Sequence, residues 1–184
     1  MKSLLINLIA FSSLILFVSG CGGKNKSKNI IENKTKTPVE ENSTIIKKLN
    51  TDLLKKIIQD RNGKILIVNL WSTWSGKSMN QLLILNDVYE KYKNDLADFL
   101  VVTIDTNPAI ESKDVPFIKK ENIKFPVYMI DSGNGKQIMN TLNPAWTGSI
   151  PVIYIYDGKG VQRKILQGLQ SQAEIEENIN ELTN

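Results

Sequence analysis

The chain has 184 residues, no histidine and a single cysteine, Cys21, and these absences exclude whole classes of chemistry. Without imidazole there is no Ser-His-Asp or Cys-His relay, no histidine-ligated zinc or haem, and no imidazole pH switch. One thiol forms no internal disulfide, no CxxC redox pair and no four-cysteine cluster. Charge of one sign is scarce as well, because 23 Lys and Arg face 19 Asp and Glu, for a net charge of +4. What remains is carboxylate, lysine or hydroxyl chemistry, an oxygen-ligand site, or binding without chemistry. No motif calls for a cofactor or a metal: Gly133-x-Gly135 lacks the spacing of a phosphate loop. The length suits one ordinary domain.

What is present begins with a basic start, Met1-Lys2-Ser3, and an apolar run from Leu4 to Val18. The run has signal-peptide length and falls short of the roughly 20 apolar residues of a bilayer span. Val18-Ser19-Gly20-Cys21 follows and resembles the lipobox of bacterial lipoproteins. That resemblance implies cleavage before Cys21, acylation of its thiol, and a lipid anchor on the extracytoplasmic face of a bacterial cell envelope. The expected division is a signal peptide over 1–20, the lipidated cysteine and a tether over 21–43, and one folded domain over 44–184. Gly22 to Asn42 holds only Ile30, Ile31 and Val39 as sizeable apolar side chains, too few for a core. As a coil it would span about 25 Å. Its five lysines against three glutamates, together with Lys2, carry most of the positive charge, so the domain is nearly neutral. A nucleic-acid partner, which needs a basic face on the domain, is not expected.

From Ile45 onward the apolar pattern predicts elements in order. Ile45 to Leu49 reads as a short edge strand and Thr51 to Asp60 as a helix with Leu53, Leu54, Ile57 and Ile58 on one stripe. Lys64 to Trp71 is a nearly continuous apolar run, the mark of a strand covered on both faces. Met79 to Tyr92 predicts a long helix, and Phe99 to Ile104 the next parallel strand, which together make a right-handed crossover. Pro116 to Asn122 and Gly135 to Leu142 read as shorter helices around an extended Phe125 to Ile130. Val152 to Tyr156, the turn Asp157-Gly158-Lys159-Gly160 and Val161 to Gln167 form a hairpin. Ser171-Gln172-Ala173-Glu174 is a capping box that opens a last helix along Ile175, Ile179 and Leu182. The fold class is therefore α/β, a central mixed β-sheet flanked by helices.

At the junction of the central strand and the long helix stands Trp71-Ser72-Thr73-Trp74-Ser75-Gly76-Lys77-Ser78, and ahead of the hairpin stands Gly148-Ser149-Ile150-Pro151. These motifs in this order resemble the thioredoxin superfamily, and within it the membrane-tethered TlpA/ResA-like thiol-disulfide oxidoreductases of redoxin type. The resemblance spans about Ile45 to Leu182 and implies a thioredoxin-like fold. It also implies a cis-proline at Pro151, facing a WxxWCxxC loop whose two cysteine positions are Ser75 and Ser78 here. In an active relative the first thiol, at a helix N-terminus, ionises and attacks, and the second resolves the mixed disulfide. A hydroxyl does neither. Six residues before Ser75 stands the neutral Asn69, so no base lies nearby in sequence.

What the resemblance leaves in place is a binding groove of Trp74, Ser75, Gly76, Lys77, Ile150 and Pro151, with the main chain of Ile150 offered to an extended polypeptide. Trp71 reads as core, Trp74 as core or contact, and Trp146 as a lid or packing residue. Ser75 reads as an N-cap that accepts the amide of Ser78. Asp105 and Asp131 read as turn and cap residues. The expectation is a pseudo-enzyme that binds a polypeptide or protein partner. Its first competitor is an accessory of a thiol-disulfide or cytochrome-maturation pathway in which partners supply the cysteines. A hydrolase using Ser75 with Lys77 as base is the third reading, and nothing in the sequence desolvates that amine.

Overall fold

The computed structural model describes residues 45–183. The signal peptide, Cys21 and the tether expected over 1–43 lie outside the described residues. Six strands form one sheet: β1 (Ile46–Leu49), β2 (Ile65–Trp71), β3 (Ala97–Thr103), β4 (Val127–Ile130), β5 (Val152–Tyr156) and β6 (Gln162–Gln167), in the order β1-β4-β3-β2-β5-β6. The first four of that order run parallel, and β5 and β6 are antiparallel to their neighbours. The helices are α1 (Thr51–Gln59), α2 (Gly76–Tyr92), α3 (Asn107–Ala109), α4 (Val115–Lys120), α5 (Gly135–Leu142) and α6 (Gln172–Thr183), with a π-helical turn, Ile110–Asp114, joining α3 to α4.

Every residue of β2 is buried, as a strand flanked by strands and covered on both faces must be. Alternation along it divides the core. Ile65, Ile67 and Trp71 pack with Leu82, Leu85 and Val88 of α2 and Ile175 and Ile179 of α6. Leu66, Val68 and Leu70 pack on the other face with Leu54 of α1 and Ile138 and Leu142 of α5. The period of two in the strands and the helical stripes of the sequence therefore meet in two apolar layers around one mixed sheet.

The segment after β3 departs from expectation. A helix predicted from Pro116 is helical from Asn107. Its buried rungs are Ile110, Asp114 and Ile118, and a carboxylic acid in the middle rung hides the stripe from any apolar count. The predicted extended segment from Phe125 pairs only from Val127.

Candidate functional site

β2 and β5 pair antiparallel with Leu70 opposite Val152. The loop that leaves β2 and the loop that enters β5 therefore stand side by side at one end of the sheet. The first carries Ser75 and Ser78, the second Ile150 and Pro151.

Ser75 is extended, with φ −110° and ψ 106°, and caps α2. Its Oγ accepts the Ser78 amide at 3.3 Å, and its carbonyl accepts the Met79 amide at 3.1 Å. Both bonds occupy donors that a helix start leaves free. The N-cap read from the sequence is thus the one found. Ser75 is half-buried, while Ser78 is buried and its Oγ has no hydrogen-bond partner. Gly76 and Lys77 are exposed, and no hydrogen bond or ion pair joins the Lys77 amine to Ser75 among the described residues. A Ser-Lys dyad has no basis in this geometry. Trp71 is core, its ring 5.9 Å from that of Phe117. Trp74 is 65% exposed beside the loop.

The loop is held from below by Asp105, at the end of β3. The Ser72 hydroxyl donates to its Oδ1, and the Thr73 amide and hydroxyl donate to its Oδ2 at 2.8 Å each. Burial pushes the Asp105 carboxyl up, yet the donors on Ser72 and Thr73 outweigh it and hold the group below the ordinary carboxylate range. The turn-and-cap reading of Asp105 is corrected: its carboxylate serves no local turn or helix start among the described residues but braces the Ser72–Thr73 loop across the sheet end. Asp131, ion-paired with Lys48 at 3.6 Å, serves the far edge of the sheet.

Sequence reading missed Asp114. It is fully buried, with Thr103, Asp105 and Thr73 beside its carboxyl but no well-formed hydrogen bond to either oxygen. Burial, opposed by the Thr103 and Thr73 hydroxyls and reinforced by the neighbouring Asp105 carboxylate, pushes its pKa up to about 7. The signal was available in Pro108, a residue suited to a helix start, which would have placed position 114 on the inner face. Gln81 was missed too. It is buried in α2, accepts the Gln170 amide at 2.7 Å and donates to the Gln170 carbonyl at 3.3 Å, which ties α2 to the approach to α6.

Opposite Ser75, the Ile150–Pro151 peptide bond is cis, and Gly148 takes φ +93°, a left-handed turn that favours glycine. Trp146 neither lines a groove openly nor hangs free. Its indole Nε1 donates to the Ser149 carbonyl at 2.9 Å, which pins the loop. Pro151 is buried and its carbonyl accepts the Gly168 amide at 2.9 Å. Ile150, between these anchors, is half-buried, and neither its amide nor its carbonyl takes part in a main-chain hydrogen bond among the described residues. A braced loop thus presents one residue of unpaired main chain beside a capped helix start. Such an arrangement can receive an extended chain through backbone bonds. No group of three or more acidic or cysteine side chains suited to a metal occurs among the described residues.

Comparison with known proteins fits this geometry. The model of the AhpC/TSA family matches residues 45–165. The thiol-disulfide oxidoreductase ResA of Bacillus thuringiensis subsp. konkukian is 29% identical over 127 residues, which cover 68% of each chain. ResA of Geobacillus kaustophilus is 26% identical over 122 residues, covering 66% of this chain and 65% of that protein. Among solved structures, a thiol:disulfide interchange protein from Chlorobium tepidum TLS superposes with a TM-score of 0.57 at 18% identity, over 67% of this chain and 83% of its own. A thioredoxin-related protein from Neisseria meningitidis serogroup B gives 0.56 at 21%, over 65% and 85%. The likeness to these structures shows a thioredoxin-like fold.

Proposed function

We propose, for a chain that belongs to the AhpC/TSA family as a TlpA/ResA-like member of the thioredoxin superfamily, a role without redox chemistry: a binding module for an extended polypeptide. The observation that carries this reading is the free main chain of Ile150, held between the Trp146–Ser149 bond and the buried Pro151, beside the Ser75 cap. Exchange between a thiolate and a disulfide needs sulfur at the attacking and resolving positions. Those positions hold Ser75 and Ser78, and the chain's one cysteine is Cys21. The groove's other parts need no sulfur. Backbone pairing at Ile150 supplies affinity, and Trp74 supplies exposed aromatic surface for specificity.

The leader and Cys21 support anchoring by an acylated cysteine on the outer face of a bacterial membrane, with the tether lifting the domain from the lipid. An intact Met1 terminus with an unmodified Cys21 thiol, found by mass spectrometry of the purified protein, would overturn that part.

The relatives named as thiol-disulfide oxidoreductases favour a second reading, in which the groove holds a client or partner of a thiol-disulfide or cytochrome-maturation pathway while other proteins bring the cysteines. Photo-crosslinking from Ile150 and from Ser75 in intact cells tests both readings. Capture of a polypeptide from these positions supports the groove, and a captured partner with a redox-active cysteine pair selects the second reading. Failure at both positions, with capture from an unrelated surface site, would contradict each.

A further inference from the structure

At the end of the sheet away from Ser75, β4 begins only at Val127, opposite Val101. The first residues of β3, Ala97 to Leu100, therefore have β2 on one side and no strand on the other. This notch opens into a cavity of about 420 Å³, a volume typical of small-molecule sites. Leu53 and Ile57 of α1, Leu66, Phe99, Leu100 and Tyr128 form its apolar walls.

Its polar groups are unevenly matched. Arg61 is buried at 4% exposure and donates through Nη2 to Asp98 Oδ2 at 2.5 Å, but its Nε and Nη1 have no acceptor. Burial draws the guanidinium below its ordinary pKa despite Asp98 and Asp60. A buried donor without an acceptor is costly, and a guanidinium cannot escape by losing its proton. Lys93 is occupied by Glu90 at 2.9 Å, whereas Lys56, also on the wall, makes no ion pair or hydrogen bond among the described residues. Asp60 is the opposing charge, but it is exposed and screened by water. Asp98 offsets the Arg61 charge but leaves Nε and Nη1 without acceptors, and Lys56 and Asp60, both exposed, oppose one another, so a single carboxylate suits the unmet donors and a dianion would be under-compensated.

We propose that this notch binds a small amphipathic carboxylate, its apolar or aryl body in the cleft of Leu53, Ile57 and Tyr128 and its carboxylate oxygens accepting from Arg61 and Lys56. The site is independent of the groove at Ser75 and Ile150, and the fate of either reading leaves the other standing.

Calorimetric titration of the full chain carrying Cys21→Ser, with 4-phenylbutyrate, 4-phenylbutanol and 4-phenylbutylamine as probes, tests it. Saturable binding is expected for the carboxylate, with the alcohol weaker by about tenfold and the amine weaker still, since a charge-assisted hydrogen bond is lost. Arg61→Gln should bring the carboxylate down to the level of the alcohol, and Ile57→Trp should fill the cleft and abolish both. Should Arg61→Gln not fold, Lys56→Gln, a change at an exposed position, should still weaken the carboxylate by about threefold to tenfold without affecting the alcohol. Equal binding of acid and alcohol, binding that survives Ile57→Trp, or no saturable binding of the carboxylate would overturn the proposal.

Discussion

Each end of the sheet buries one ionisable side chain that lacks full partners, and the two differ in how they can be relieved. Near the groove it is Asp114, at the notch Arg61. A carboxylic acid can shed its charge by binding a proton, and the rise of Asp114 to about 7 keeps it largely neutral below that pH. An arginine has no such exit and must find an acceptor. At the groove end Asp105 is satisfied within the chain, receiving three donors from Ser72 and Thr73, whereas Arg61 at the notch is left wanting an acceptor. The contrast separates a buried charge that a proton settles from one that only an acceptor can settle.

The largest effect expected is on pH dependence. Because the folded pKa of Asp114 lies above the ordinary 3.8, the folded state binds more protons than the unfolded one between these values. Its stability should fall as pH rises from about 4 through about 7, by up to about 4 kcal/mol. Asp114→Asn should flatten that slope in urea unfolding followed at pH 5 and pH 8, and an unchanged slope would remove Asp114 from the comparison. Next comes Asp105→Ala, which strands the loop donors and should cost about 3 kcal/mol while altering the emission of exposed Trp74. Ser75→Ala, which removes only the helix cap, should cost about 1 kcal/mol. The smallest expectation concerns independence. Ser75→Ala and Lys56→Gln together should add to within about 0.5 kcal/mol, since the sites share no partners, and a larger coupling would join the two ends.

Much of this was legible beforehand. The order of strands and helices follows from apolar period, and the Ser75 cap from Ser75 and Ser78 at N-cap and N3 spacing. Asp114 was hidden because an acid interrupts the buried stripe of Ile110 and Ile118, and the two-turn lead into α4 went unread with it. Arg61 follows a helix end, where no motif marks it. In the fold it is buried and bonds Asp98, 37 residues away. Likewise Asp105 reads as a turn residue until the sheet register sets Thr103 beside Trp71 and brings the β3 end under the groove loop. Local pattern announces elements and caps, but buried charge is decided by contacts between distant parts of the chain.

The central claim is that the scaffold of a thiol-disulfide oxidoreductase stands here with hydroxyls in the place of its sulfurs. Reduction of a model protein disulfide, measured side by side for the native chain and for the double variant Ser75→Cys, Ser78→Cys, tests it most directly. The account predicts no turnover by the native chain and measurable turnover by the variant. Turnover by the native chain, or a correctly folded variant that remains inert, would contradict it.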